Sequence, residues 1–284
     1  MSQLIKTYTQ FQEGNYIKEM SNLSSSGQYK INAADITRER LQALKRGELE
    51  LIRLWLDQYF HTPDGFAHPS ENPEFFGRFK FVPDSDLLIN IKDDAKITNG
   101  ALELPDDETY AGIKGSEFVK VNSDGQTFAL SAGKFTPNKN YKTEELYELG
   151  ATPLGRRLGV AEVGDNKIDE IVNSDLWLAF LRGDKQLLMD YRNEVSAEMQ
   201  RRNYKDKTLM GVYPGSGQVK PSMRAWAVDD LDGGSIAEGD GDLDLNARLV
   251  GVNSKIAEGD AQNLATRQEA LSHIRKLEDL VKRF

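Results

Sequence analysis

Phe118-Val119-Lys120-Val121-Asn122-Ser123-Asp124-Gly125-Gln126-Thr127-Phe128-Ala129-Leu130 is the stretch that decides the fold class. Two alternating runs flank an Asp-Gly pair. Gly accepts the positive φ that a two-residue hairpin turn demands, so the segment predicts two antiparallel strands joined at Val121–Gln126. Working outward, Phe79 and Phe81 flank Lys80; Leu87, Ile89 and Ile91 lie on one side of a second run, with Leu88 and Asn90 on the other; and Leu102 and Leu104 make a third short run. Together these predict an antiparallel sheet from Phe75 to Phe135, of about four to six strands.

Helical periodicity lies on both sides of this region. Leu4, Ile5, Tyr8, Phe11, Tyr16, Ile17 and Met20 fall near one helical face, interrupted by Gly14. Ile36, Leu41, Leu44, Leu51, Leu54, Trp55 and Tyr59 form a clearer stripe, with Asn32 or Asp35 as its cap and Gly47 as a divider. Between this stripe and the sheet, His61-Thr62-Pro63-Asp64-Gly65-Phe66-Ala67-His68-Pro69 is dense in turn formers and reads as part of a loop over 61–73. Beyond the sheet, a short helix is expected around Thr143–Leu149. A helical hairpin follows from Lys167 to Asn203, with Gly183 as the left-handed residue after its first helix and Asp184 as the cap of its second. Strands are expected at Thr208–Tyr213, Arg224–Val228 and Arg248–Val252. A last helix carries Leu264, Leu271, Ile274, Leu277 and Val281 to the C-terminus.

The fold class is therefore α+β: N- and C-terminal helices around a central, mainly antiparallel sheet, with an inserted helical hairpin. The regions run 1–74 (helical), 75–136 (antiparallel β), 137–205 (helical hairpin) and 206–284 (short strands, acidic loop, C-terminal helix). At 284 residues they can form one integrated domain.

Composition narrows the chemistry. The chain has no cysteine, which removes disulfides, thiol nucleophiles and thiolate metal sites. Its net charge of -9 does not support nucleic-acid binding, whose affinity rests on Lys and Arg displacing counterions. The N-terminus has no apolar signal core and no long apolar run occurs, so neither a signal peptide nor a membrane span is expected. The compartment expected is the cytoplasm, or a virion assembled there. The sequon at Asn22 is incidental on that reading, and Arg182-Gly183-Asp184 is a helix corner rather than an integrin ligand.

Several motifs fail on spacing. Ser131-Ala132-Gly133-Lys134 spells S-x-x-K but follows a strand, where one helical turn is needed to bring the amine to the hydroxyl. Gly215, Gly217 and Lys220 miss the P-loop register, and Arg156-Arg157 sits among glycines without dinucleotide-binding spacing. His61 and His68 are seven apart in a Pro-containing loop and would need Asp64 or Glu71 to complete a metal site. Asp84, Asp93, Asp94 and Lys96, or Glu117 with Lys120, fit a metal-dependent nuclease only loosely.

The conspicuous local pattern is Asp240, Asp242, Asp244 and Asn246, oxygen side chains at every second position, as at the start of calcium loops. Leu245 and Gly251 stand where an EF-hand needs its glycine and its bidentate Glu, so the same alternation also suits a guarded, solvated edge. No cofactor is expected, and the guarded edge is the preferred reading; calcium is the one metal this pattern could take. No catalytic residue is assigned. The functional expectation is a non-enzymatic structural or assembly subunit of a homo-oligomeric particle, such as a phage or virion component, partnered by copies of itself or other assembly subunits. The alternative is a metal-assisted, carboxylate-based enzyme acting on nucleic acid or a phosphate ester.

Overall fold

In the computed structural model the described residues are 10–71, 77–92, 94–154, 158–159, 173–203, 208–210, 212–215, 218–228, 230–231, 237–241, 243 and 246–253. The strands are β1 (Gln10–Asn15), β2 (Gln28–Lys30), β3 (Phe60–His68), β4 (Arg78–Val82), β5 (Ile97–Thr98), β6 (Ala101–Glu103), β7 (Ser116–Ser123), β8 (Gln126–Ser131), β9 (Thr152–Leu154), β10 (Leu158–Gly159), β11 (Thr208–Met210), β12 (Val212–Tyr213), β13 (Ser222–Val228), β14 (Ala237–Gly241) and β15 (Asn246–Asn253). The α-helices are α1 (Tyr16–Ser25), α2 (Ala33–Arg46), α3 (Leu49–Leu56), α4 (Asp86–Ile89), α5 (Asp107–Gly112), α6 (Thr143–Glu148), α7 (Asp175–Phe180) and α8 (Lys185–Arg201).

The chain is α+β, with helices and a mainly antiparallel sheet. Ten strands form the main sheet, in the order β12-β14-β13-β3-β4-β7-β8-β9, with β6 on β13 and β5 on β6. The pairing of β12 with β14 is parallel; β13-β3, β3-β4, β4-β7 and β7-β8 are antiparallel. A second sheet, β1-β15-β2, joins residues from opposite ends of the chain.

The hairpin forms as the sequence predicts. β7 and β8 close at Ser123 opposite Gln126, and Asp124 (φ 51°) and Gly125 (φ 75°) both take left-handed backbone. The helical corner also forms: Arg182 (φ 56°) and Gly183 (φ 80°) turn the chain, and Asp184 accepts from Leu187 N–H to cap α8. Asn32 caps α2, and Asp35 reaches back to the Asn32 N–H in a capping box. Gly47 (φ 66°) ends α2 before α3.

Three expectations are corrected. The first N-terminal periodic segment is not one helix: Gln10–Asn15 is a strand, and α1 starts only at Tyr16, capped by the Asn15 side chain. Phe11 falls near the helical stripe, but its residue pairs with Val250 of β15, and that tertiary ladder overrides the local period. Leu87-Leu88-Ile89 is a helical turn, not a strand, with Leu88 buried in the core and Leu87 exposed.

The largest correction is the 61–73 loop, because Phe60–His68 is the central strand β3 and every one of its residues is buried. Pro63 is tolerated there because the ladder is irregular around it. His61 opposes Ala227 and Gly65 opposes Ala225, so Thr62, Pro63 and Asp64 together face the single residue Trp226. A proline at a bulge sacrifices no ladder bond. Its carbonyl accepts from Ser85 N–H at 2.8 Å instead. Gly65 is needed for closeness: a Cβ there would sit 2.9 Å from Leu88 Cδ1 and 3.1 Å from the Arg224 carbonyl oxygen.

The core lies on both sides of this strand. One face packs Phe66, Phe79, Phe81, Phe118 and Trp226 against Leu44, Trp55, Phe180 and Leu188 of α2, α3, α7 and α8. The rings of Phe180 and Trp226 approach to 3.8 Å between centroids, and those of Phe66 and Trp226 to 5.1 Å. On the other side Ala67, Val82, Met223 and Ala225 meet Tyr16 and Met20 of α1, Leu88 and the second sheet. Arg40 is fully buried, and its guanidinium donates to the Trp55 and Gln58 carbonyls, both at 2.8 Å, closing the end of α3. The expected C-terminal helix falls at 254–284, outside the described residues. Among those described, no helix is long and apolar enough to cross a membrane.

Candidate functional site

The densest polar chemistry surrounds Asp64, which the bulge in β3 directs away from the ladder. Its carboxylate is fully buried. It accepts from Ala33 N–H at the start of α2 (3.0 Å) and from Asp84 N–H in the turn before α4 (2.8 Å). Arg182, from the corner between α7 and α8, closes over it at 2.5 Å and reaches Asp84 at 3.2 Å. Asn32 adds a bond to the Asp84 carboxylate at 3.4 Å. Thus one carboxylate ties a central strand, the first turn of a helix, a strand-exit turn and a helical corner.

Burial raises the Asp64 pKa, and Asp84 adds to that rise. Arg182 and the two backbone N–H donors oppose it. Burial acts against the Arg182 charge, but Asp64 and Asp84 more than offset this, so its pKa goes up. Both Arg182 and Asp84 (φ 43°) have left-handed backbone, an uncommon state for non-glycine residues that their surroundings must enforce. Asp184, the cap of α8, meets Arg38 at 3.6 Å. The tripeptide Arg182-Gly183-Asp184 therefore turns its arginine inward. The arrangement suits holding elements in place: Asp64 is surrounded by donors, whereas a general base needs an open acceptor position.

The histidines are not brought together. His61 faces the rings of Tyr16 and Tyr59, at 6.0 and 5.7 Å. His68 lies at the other end of β3, beside Phe79, with Nε2 2.7 Å from the Pro214 carbonyl. That distance fits an Nε2–H donor. Burial lowers the His68 pKa to about 4, helped by Lys120 and Arg224 and opposed by the Pro214 bond. Asp64 is engaged as described, and Glu71 is exposed beyond the strand end. Among the described residues no group of three His, Asp or Glu is placed to hold a metal ion.

In the calcium-like pattern Asp240 belongs to β14 and Asn246 to β15, while Asp242 and Asp244 lie outside the described residues. The looser carboxylate–lysine sets do not assemble either. Asp84 belongs to Arg182, Lys96 pairs with Glu103 at 2.8 Å, and Asp93 is outside the described residues. Glu117 meets the Tyr110 hydroxyl at 3.4 Å and Arg78 at 4.0 Å. Lys120, three residues along a regular strand, projects from the opposite face. Ser131-Ala132-Gly133-Lys134 ends in a 3-10 turn from which Lys134 reaches the Leu149 carbonyl (2.9 Å) and Asp175 (2.7 Å). Arg156 and Arg157 are outside the described residues.

A buried lysine is the other feature that spacing did not announce. Lys80 projects from β4 to the end of α5, where its Nζ donates to the carbonyls of Tyr110, Ala111 and Ile113 at 2.9–3.0 Å. Phe-Lys-Phe signalled a strand, but alternation gives no hint that the polar position is also covered.

No family model matches the chain, and no curated protein matches it. The fold has a solved neighbour. It is the structure described as "Accommodation of massive sequence variation in Nanoarchaeota by the C-type lectin fold", with a TM-score of 0.50 and 14% sequence identity, covering 86% of this chain and 97% of that one. At that identity the likeness concerns the fold alone, and it places a C-type lectin fold beside this α+β architecture.

Proposed function

We propose that the protein is a non-enzymatic structural or assembly subunit of a homo-oligomeric particle, such as a phage or virion component. The observation that carries this reading is the use made of its buried ionisable groups. Asp64, Lys80, His68 and Arg40 each bond main-chain groups and fix one element against another. Such groups build a frame, and a frame held from within leaves the surface open for contacts. Leu49, Tyr213 and Val219 are apolar and exposed on that surface, Val219 at 84%. The fold neighbour, described as accommodating massive sequence variation, agrees with a division between fixed interior and changeable exterior.

Mass photometry and light scattering across micromolar concentrations test the proposal. One discrete oligomer of fixed stoichiometry is expected. A strict monomer throughout would overturn the reading.

A further inference from the structure

We propose that Asp64 and Arg182 form an acid-operated latch: protonation of Asp64 frees the Arg182 side chain to move out to solvent and uncovers the aromatic face of the core behind it, with the fold kept. The Arg182 guanidinium carbon lies 5.8 Å from the centre of the Phe81 ring. Phe81 packs on Phe180 at 4.8 Å and on Trp226 at 5.7 Å, and none of the three residues is more than 1% exposed. The Arg182 side chain is 25% exposed, so it forms part of the cover between this cluster and solvent.

The hold on that cover is narrow. Both ion pairs are made by one nitrogen: Nη2 meets Asp64 at 2.5 Å and Asp84 at 3.2 Å, while Nη1 is buried with no hydrogen-bond partner among the described residues. The turn itself does not depend on the side chain, because Gly183 N–H donates to the Leu178 carbonyl at 2.7 Å and Asp184 N–H to that of Leu181 at 3.0 Å. Arg182 can therefore swing away without undoing α7 or α8. Asp84, whose side chain is 48% exposed, can follow it outward; Asp64, fully buried in the central strand, cannot.

A proton on Asp64 removes the charge that compensates the desolvation of the guanidinium, and a cation so uncompensated regains its hydration by moving to water. The groups facing the pair set when this happens. Burial raises the Asp64 pKa, Arg182 lowers it, and Asp84, in the turn after β4, raises it again. From α2, Asp35 acts on Arg182 and is itself paired with Arg38 at 3.1 Å, which reaches Asp184 at 3.6 Å. From α1, burial and then Asp64 hold the Tyr16 hydroxyl neutral, well above its ordinary pKa. Elsewhere, hydrogen-bonding partners lower the pKa values of Glu103, Asp106 and Asp190, so Asp64 takes its proton before they do on acidification. The folded-state value of Asp64 lies above the unfolded value near 3.8, so protonating this group favours the folded chain. The acid event is local. It needs one chain only and is independent of how copies assemble.

The test follows the full chain from pH 7 to pH 4 at constant ionic strength. Fluorescence of the uncharged apolar dye Nile red reports the uncovered rings, NMR of the Arg182 guanidinium protons reports the latch, and far-UV CD reports the fold. Dye fluorescence should rise and the Arg182 protons should pass from slow to fast exchange with water. Both changes should be reversible, share a one-proton midpoint above 3.8 and precede any loss of CD signal. Asp64→Asn, uncharged at every pH, should show the open signature already at pH 7. Asp84→Asn should move the midpoint to lower pH, because the Asp84 charge helps to raise the Asp64 pKa. Where Asp64→Asn does not fold, the titrations of the unaltered chain and of Asp84→Asn decide. Arg182 protons unchanged down to pH 4, a dye response that appears only as the CD signal is lost, or a midpoint indifferent to Asp84→Asn would each overturn the proposal.

Discussion

Asp64-Gly65 and Asp124-Gly125 are the same dipeptide in opposite settings within one sheet. At 124–125 both residues are left-handed, the turn projects into solvent, and a Cβ on Gly125 would meet nothing within 4 Å. At 64–65 the dipeptide lies inside a buried strand. There the aspartate binds two backbone N–H groups and an arginine, and the glycine lets Leu88 and the β13 backbone approach. One pair is a local instruction for reversal, with an exposed side-chain bond from Thr143 to its aspartate. The other is a tertiary device whose meaning depends on residues as distant in the chain as Arg182 and Arg224. The residues alone do not separate the cases; the flanks do. Alternation runs into Asp124 from both sides, whereas Pro63 precedes Asp64 and hides the strand.

This contrast can be broken experimentally, most severely at the ion pair. Arg182→Met should destabilise the fold by about 3 kcal/mol in urea unfolding, because it leaves the Asp64 carboxylate buried without its cation. The pH dependence carries a sign. The folded-state pKa of Asp64 is raised, so the favourable, protonated state is fully present below the unfolded value near 3.8 and is lost as pH rises through the folded value. The deficit of Arg182→Met should therefore be greatest at neutral pH and shrink on acidification. A deficit unchanged between pH 7 and pH 4 would mean that Asp64 is not the group left exposed to desolvation.

Gly65→Ala comes next. The added methyl would crowd Leu88 and the Arg224 carbonyl, and overpacking of this kind costs about 1–3 kcal/mol. Gly125→Ala has open space but must hold φ near 75°, a left-handed penalty of about 1 kcal/mol. Urea melts of the two variants side by side would show whether the buried glycine costs more, as the geometry requires. Asp124→Asn should be the mildest, within about 0.5 kcal/mol, since asparagine accepts the left-handed state readily and the site is a surface turn. Asp124 also accepts from the Thr143 hydroxyl at the start of α6 (2.6 Å), a bond the amide oxygen of the variant can keep, so a larger loss would show that this contact needs the carboxylate charge.

What was legible in the sequence shares one property: it depends on neighbours a few residues away. The hairpin at Asp124-Gly125, the box at Asn32 and Asp35, the break at Gly47 and the corner at Gly183-Asp184 are all local stereochemistry. Phe11, Pro63 and Leu88 were misread because their conformations are set by distant partners: Val250, the bulge opposite Trp226, and the cleft above Gly65. The candidate site was legible only in fragments. Asp64 stood out as a turn residue and a spare metal ligand, and Arg182 as part of a corner, but no period or motif links two residues brought together by packing alone.

The pairing of β1 with β15 has a consequence in time as well as space. Gln10 meets Gly251 and Asn15 meets Asn246, so this clasp joins the earliest described strand to the last. During synthesis β1 leaves the ribosome long before its partner exists, and its edge must wait unpaired while the main sheet gathers. Closure across so long a stretch of chain is also entropically slow. The clasp is therefore expected to form last, and an interrupted chain lacking β15 would display β1 as an open edge.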